Sequence, residues 1–166
     1  PVDVQALAAA LERTEKEVAT AYVDEVSDLP LLASIPVPGN ISTRTYHDEV
    51  DITEWSLSNG ARVYLKPTDF KNDELRFSAF SPGGTSLYDE TRYLSATYAA
   101  ALVQESGLGG FSATALEKKL AGQTVSVSPF VGSIEEGLRG MSSVGDAEAL
   151  FQLIYNYFTS PREDRE

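Results

Sequence analysis

The sequence of 166 residues contains no cysteine and a single histidine, His47. Because cysteine is absent, disulfide bonds and thiolate zinc sites are excluded. A catalytic zinc takes about three His, Glu or Asp ligands, so a standard site would need at least two carboxylates beside His47. A Ser-His-Asp triad would also depend on His47, and the nearest approach to G-x-S-x-G, Gly140-Met-Ser-Ser-Val-Gly145, has the wrong spacing.

Basic residues are also scarce, with 13 Lys and Arg against 25 Asp and Glu, which gives a net charge of −12. Such an acidic surface repels phosphate backbones and no cluster of basic residues offsets it, so nucleic-acid binding is not expected. No apolar run approaches the roughly 18 residues of a membrane span, and no signal-peptide pattern is present. Apolar residues nevertheless make up 42% of the chain, enough to bury a core.

The N-terminal quarter is predicted to form a helix followed by a linker. Residues 2–25 place six apolar residues on one stripe: Val4, Leu7, Ala8, Leu11, Val18 and Tyr22. Three prolines in residues 28–39 exclude a helix and favour an extended segment, whose Leu and Ile side chains we expect to lie against protein. We therefore divide the chain into a helix plus linker (1–44) and a domain (45–166), and interpret it as an excised piece of a longer protein.

A β-hairpin is the strongest local prediction. Two short alternating runs, 55–57 and 61–65, flank Asn59-Gly60, the sequence most typical of a type I′ turn. A third run, 75–80, places Leu75, Phe77 and Ala79 on one face and stops at the turn Pro82-Gly83-Gly84. A long helix is predicted next, over about 91–105.

The rest of the chain predicts two more strands and two more helices. A short helix is expected at 112–121, with Thr114 and Glu117 at capping-box spacing, and a strand at 123–131. We interpret 133–141 as a strand, although Ser133 and Glu136 would also fit a capping box. A helix at 146–158 carries a stripe of Ala147, Leu150, Phe151, Ile154 and Phe158. The sum is an α+β fold, with a mostly antiparallel sheet and helices packed on one face.

The order of hairpin, third strand, glycine turn and long helix resembles the repeated domain of the pitrilysin/insulinase zinc peptidases, the inverzincins. In the catalytic copy of that domain, this helix bears H-x-x-E-H, in which two His bind zinc and the Glu activates water. The corresponding helix here reads YLSATYAAALV over 93–103 and contains no His and no acidic residue. The sequence is most similar to the third of four domains in bacterial members, through segments 53–71, 83–88, 106–111, 116–122 and 125–129.

This resemblance implies an inactive, truncated peptidase-like domain from the non-catalytic half of such a protease. It implies no catalytic residue and no cofactor or metal here, with zinc in the catalytic domain of the parent metalloendopeptidase. The implied partners are the catalytic half and a peptide substrate, and the implied location is the periplasm or outside the cell. The alternative is a free-standing interaction or scaffold module with a degenerate peptidase fold.

Other candidate sites are better explained as structural. His47-Asp48-Glu49 is the only local metal candidate, but an extended triplet points alternate side chains to opposite faces. Asp24, Glu25 and Asp28 form the nearest carboxylate cluster for calcium or magnesium and lack EF-hand spacing. The glycine-rich segments 82–85 and 107–110 lack phosphate-loop signatures, and Asp89-Glu90 is placed to complement a helix dipole.

Aromatic residues supply the one candidate substrate contact, Tyr98 on the long helix. Tyr93 and Tyr98 lie on that helix, and most aromatic residues there and on the last helix are expected in the core. The last helix carries Phe151, Tyr155, Tyr157 and Phe158. We also expect apolar surface on the helix within 1–25 and around 151–158. The fragment could form a homodimer through that surface or through a sheet edge.

Overall fold

The computed structural model describes residues 3–16 and 28–163 and has the predicted α+β fold. Within these residues there are four helices, α1 (Val4–Lys16), α2 (Tyr93–Ser106), α3 (Ala113–Lys119) and α4 (Ala147–Thr159). The six strands are β1 (Ile41–His47), β2 (Ile52–Leu57), β3 (Arg62–Leu65), β4 (Glu74–Pro82), β5 (Val125–Val131) and β6 (Glu135–Ser143). The expected single sheet is wrong in one respect, because the strands form two antiparallel sheets, ordered β1-β2-β3 and β4-β6-β5.

The first sheet contains the predicted hairpin and one strand that the sequence did not predict. Strand β1 has the polar sequence ISTRTYH, so it lacks the apolar alternation by which strands are recognised. It pairs with β2 from Ile41 opposite Leu57 to His47 opposite Ile52. The boundary drawn at 44/45 falls inside this strand, and the division into domains remains a prediction.

The hairpin turn differs from the predicted type I′ turn. Gly60 has φ of +89°, but Asp51 is the only non-glycine residue with positive φ in the described part of the chain, so Asn59 does not adopt the required conformation. The Gly60 N–H donates to Leu57 O (3.0 Å), and the Leu57 N–H donates to Ala61 O (2.8 Å). This is a three-residue loop that ends in a left-handed glycine, the next most common hairpin connection.

The second sheet and helix α4 enclose the core, and Leu116 of α3 packs against it. On the inner face of the sheet, Phe77 lies opposite Gly140, and Gly140 lies opposite Val127. The buried core consists of Leu108, Val127, Leu138, Leu150 and Leu153. A groove lined by α2, α4 and the three strands shows that both helices lie on this one face, as predicted.

Two helix predictions are corrected in detail. The N-cap of α3 is Ser112, whose Oγ accepts a hydrogen bond from the Ala115 N–H (3.2 Å), and not Thr114 of the expected capping box. On α4 the buried positions include Leu150 and Leu153, whereas Phe151 and Phe158 are exposed. The strand interpretation of 133–141 is confirmed by β6.

The N-terminal helix and linker agree in part with expectation. Helix α1 ends at Lys16, and the predicted continuation to residue 25 lies outside the described residues, as do Asp24 and Glu25. Residues 28–39 form no helix or strand, as predicted. Leu31 and Leu32 are half-buried, but Ile35 and Val37 are almost fully exposed, so only the start of the linker lies against the domain.

Candidate functional site

The glycine turn after β4 anchors the start of the helical region to the β5-β6 hairpin. Gly84 has φ of +71°, and a Cβ atom there would approach Gly132 O to 2.4 Å. Only glycine fits this position without strain. The N–H of Gly83 donates to Ile134 O (3.0 Å), and the N–H of Thr85 donates to Gly132 O (2.9 Å).

These hydrogen bonds argue against a phosphate cradle, which requires free backbone N–H groups. The Gly84 N–H also has an acceptor, Glu136 Oε2 (3.4 Å). In the second glycine-rich segment, Leu108 donates to Phe111 O (3.0 Å) and Gly109 to Ser160 O (2.8 Å). Both segments therefore serve as structural turns.

Helix α2 follows this turn, where the family resemblance places the metal-binding helix. Asp89 begins the helical region, since its Oδ1 accepts hydrogen bonds from Thr91 N–H (3.1 Å), Thr91 Oγ1 (2.6 Å) and Arg92 N–H (3.1 Å). The bond from the Thr91 hydroxyl holds the pKa of Asp89 below its ordinary value, with further lowering from the two backbone bonds. Asp89 thus holds the turn that leads into α2, whose own N-cap residue is Arg92 and whose first turn contains no acidic residue.

The two faces of α2 differ in the size of their side chains. Small or branched residues, Ala96, Ala99, Ala100 and Val103, face the second sheet or the groove beside it. The opposite face carries Leu94, Tyr98 and Leu102 at intervals of four residues, and these are 66%, 61% and 64% exposed. We call these three residues the α2 ridge.

A row of large apolar side chains along one face of a helix is normally covered by a neighbouring element. The α2 ridge is thus a surface on which a covering partner is expected. Tyr98 lies at its centre and is not a core residue. The expectation that most of these aromatic side chains are buried is wrong, since Tyr93, Phe151, Tyr155 and Phe158 are exposed as well. The four-residue spacing of Leu94, Tyr98 and Leu102 is the signal that could have revealed the ridge.

The only histidine lies on the first sheet and pairs with a carboxylate. His47 Nε2 is 2.9 Å from Glu54 Oε2, and Tyr64 OH donates to Glu54 Oε1 (3.3 Å). The bond to His47, together with that from Tyr64, lowers the pKa of Glu54 although partial desolvation opposes this. Asp48 and Glu49 lie in the following 3-10 turn. Across residues 3–16 and 28–163, no group of three or more His, Asp or Glu residues is placed to hold a metal ion.

The serine-rich segment near residue 142 has no nucleophile arrangement either. Ser142 is fully buried, and the Ser143 hydroxyl donates to Asp146 Oδ2 (2.6 Å). His47 lies on the other sheet. The structure therefore does not bring these two serines together with the histidine.

Comparison with known proteins relates the chain to zinc proteases. No family model matches it. It is 28% identical over 153 residues to a PQQL-like zinc protease of Arabidopsis thaliana, covering 90% of this chain, and 29% identical over 155 residues to the probable zinc protease PqqL of Escherichia coli, covering 91%. The crystal structure of the periplasmic protease PqqL from Escherichia coli matches 96% of this chain with a TM-score of 0.75 and 26% identity.

The chain is therefore similar, in sequence and in fold, to a segment of PqqL-type zinc proteases. A further solved structure, a mutant of the ferredoxin protease FusC in complex with Arabidopsis ferredoxin, has a TM-score of 0.74 over 98% of this chain; at 21% identity it supports the fold alone. The chain spans only 14% and 16% of the Arabidopsis and Escherichia coli relatives, and 18% of each solved structure.

None of the helices in the described residues is both long enough and apolar enough to span a membrane. This finding concerns only the segments 3–16 and 28–163.

Proposed function

We propose that this chain is a non-catalytic part of a pitrilysin-type zinc protease, which helps to enclose and position a peptide opposite the catalytic half. One observation carries the proposal. Helix α2 follows the glycine turn, as the zinc-binding helix does in the catalytic copy, yet it offers no metal ligand over residues 93–103 and presents the apolar α2 ridge outward.

The ridge gives this role a physical basis. Fully burying one large apolar side chain contributes roughly 1.5–3 kcal/mol. Leu94, Tyr98 and Leu102 are 61–66% exposed, so covering the ridge would contribute part of that amount for each. The enclosed chamber would exclude water and hold the peptide near the zinc of the other half.

The corresponding position in the longer protein is the third domain, at the start of the non-catalytic half, as the sequence resemblance implies. The zinc ion of that longer protein would be bound in its catalytic half and not in this chain. The Escherichia coli relative of known structure is a periplasmic protease, which supports a periplasmic location for the parent protein. Fractionation of cells expressing the full-length parent, followed by immunodetection, tests that location.

A charge placed on the ridge tests the proposed packing. In the full-length protease, Leu102→Glu should lower kcat/KM for an internally quenched peptide by about tenfold or more, because it buries an unpaired charge. Gln104→Glu is the matched control, since it adds the same charge on an exposed flank of α2. Both proteins should keep their zinc content.

Two outcomes would contradict the proposal. Equal kcat/KM for the two variants would mean that the ridge contacts nothing needed for catalysis. Stoichiometric zinc and peptide hydrolysis by the chain alone would mean that it is catalytic. If neither the chain alone nor the full-length protein hydrolyses peptide, and the chain binds a separate protein through the ridge, the alternative of a scaffold module replaces the proposal.

A further inference from the structure

The outer face of the second sheet carries basic and hydroxyl side chains and faces away from α4. Its central residues are Arg76 and Ser78 on β4, Arg139 and Met141 on β6, and Ser126 and Ser128 on β5. These residues line a shallow depression of about 490 Å³. We call this the arginine face.

Arg139 occupies the middle of the arginine face, on the central strand. Its guanidinium carbon lies 4.4 Å from the centroid of the Phe130 ring. A guanidinium that stacks on an aromatic ring keeps its N–H groups free at its edge, in a fork that matches a carboxylate. Within the described part of the chain, Arg139 makes no ion pair, so this fork is available to a ligand.

The second arginine extends the positive surface along β4. The Arg76 side chain is 82% exposed, and its Nη2 is 3.1 Å from Glu74 Oε1. The Glu74 side chain is only 8% exposed and also lies 3.7 Å from Lys71 Nζ, so two cations share this one acid. Glu135 lies on the same face but four residues along β6 from Arg139, about 13 Å at the usual rise for a strand.

A local positive charge is unusual in a chain with a net charge of −12. The hydroxyls of Ser78, Ser126 and Ser128 surround the arginines and can donate hydrogen bonds to an anion. Exposed Phe80, next to this set on β4, offers an apolar contact for the chain that bears the anion. The surface thus combines charge, hydroxyl donors and an aromatic side chain, which suits a peptide better than a small ion.

We propose that the arginine face binds acidic peptide segments, with an Asp or Glu carboxylate held by Arg139 in a forked hydrogen-bonded pair. Arg76 attracts a second carboxylate of the same segment, and the serine hydroxyls bond to the peptide. The binding itself requires only this chain. Its role as a contact for enclosed substrate rests on the function proposed above.

Direct binding to the isolated chain tests the inference. Two fluorescein-labelled decapeptides, identical except that three Glu residues in one are Gln in the other, are titrated by fluorescence anisotropy at about 50 mM and 300 mM salt. The Glu peptide should bind at least about tenfold more tightly than the Gln peptide at low salt, and its affinity should fall at high salt because the charges are exposed.

Two arginine variants separate this surface from general electrostatic attraction. Arg139→Gln should weaken binding of the Glu peptide by roughly tenfold, and Arg139→Gln with Arg76→Gln should remove the preference for Glu over Gln. Arg44→Gln is the matched control, because Arg44 also stacks on an aromatic ring, Trp55 (5.2 Å), but on the first sheet. Circular dichroism checks that each variant is folded.

Equal affinities for the two peptides would overturn the inference, as would an equal loss of affinity in the Arg44 and Arg139 variants. The result is independent of the proposed protease role. If the Glu peptide binds as expected while the full-length parent is insensitive to Leu102→Glu, the peptide site stands and the chamber role fails. If the activity of the parent falls with Leu102→Glu and the Glu peptide does not bind, the chamber role stands and the peptide site fails.

Discussion

The Asn156 side chain on α4 donates a hydrogen bond from Nδ2 to the Leu31 carbonyl oxygen, at 2.8 Å and across 125 residues of sequence. Asn156 is one of the two buried polar residues in the described part of the chain. This bond joins the start of the proline-rich linker to the last helix of the domain. It explains why the linker is partly buried at Leu31 and Leu32, in contrast to the exposed side chains of Ile35 and Val37.

Asn156→Ala should lower the free energy of unfolding by about 1–3 kcal/mol, because it removes a buried donor and leaves the Leu31 carbonyl without its partner. Urea unfolding followed by circular dichroism measures the change. Asn72→Ala, in an exposed loop, is the control and should change stability by less than about 0.5 kcal/mol. Similar stabilities for the two variants would show that the linker contact contributes nothing.

Leu150 and Phe151 are neighbours on α4 with opposite environments. Leu150 is fully buried, whereas Phe151 is 55% exposed and meets Phe77 edge-on at a ring distance of 6.5 Å. Leu150→Ala should therefore cost about 2–5 kcal/mol of stability, and Phe151→Ala clearly less. Chemical denaturation of both variants checks the order, and a larger loss for Phe151→Ala would mean that α4 packs through a different face.

Gly84 and Gly110 provide a matched pair of glycines in loops. Gly84→Ala would place a Cβ 2.4 Å from Gly132 O at a positive φ, whereas nothing lies within 4 Å of a Cβ at Gly110. The first substitution should lower the free energy of unfolding by more than about 1 kcal/mol, and the second should be nearly neutral. Thermal unfolding compares them. A tolerated Gly84→Ala would contradict the close contact between the glycine turn and the β5-β6 hairpin.

Asp146 is expected to make stability depend on pH in the acid range. Its carboxylate accepts hydrogen bonds from Ser143 Oγ (2.6 Å) and from the Thr124 N–H (2.9 Å), and these lower its pKa from the ordinary value of 3.8. A lowered folded-state pKa adds stability above the ordinary pKa, and this contribution is lost as pH falls through the folded-state value.

Asp146→Asn should accordingly be less stable than the wild type near neutral pH, and the difference should shrink below about pH 4. Urea unfolding between pH 2.5 and 7 measures it. Asp73→Asn, on an exposed loop, is the control for loss of a negative charge. A difference that stays constant across this range would rule out the ionised carboxylate as its source.

The sequence predicted elements whose signals are local. Asn59-Gly60 marked the hairpin and the alternation of Leu75, Phe77 and Ala79 marked β4, because turn preference and side-chain alternation act over a few residues. The separation into two sheets was not predicted, since it depends on pairing between distant strands, such as β4 with β6. On α4, neighbouring apolar residues allowed two choices of buried face, and only packing against the sheet selected Leu153 over Phe151 and Phe158.

The candidate surfaces were less accessible to sequence reasoning. The sequence alone shows that α2 has no zinc ligand over 93–103, and it also suggested Tyr98 as a candidate substrate contact. Arg139 on β6 stacks on Phe130 of the neighbouring strand β5. The sequence could not reveal this contact, because Gly137 and Gly140 made the assignment of β6 as a strand ambiguous. The prediction of exposed apolar surface is confirmed for α1 and for Phe151 and Phe158.

Reconstitution of the protease from two separately expressed halves tests the central claim most directly. The catalytic half is mixed with a non-catalytic half that either contains or lacks residues 45–166, and hydrolysis of a fluorogenic peptide is followed with zinc present. The account predicts that hydrolysis returns only when this segment is included, and that Leu102→Glu within it reduces the recovery. Equal hydrolysis with and without the segment would contradict the claim that it helps to enclose and position the peptide.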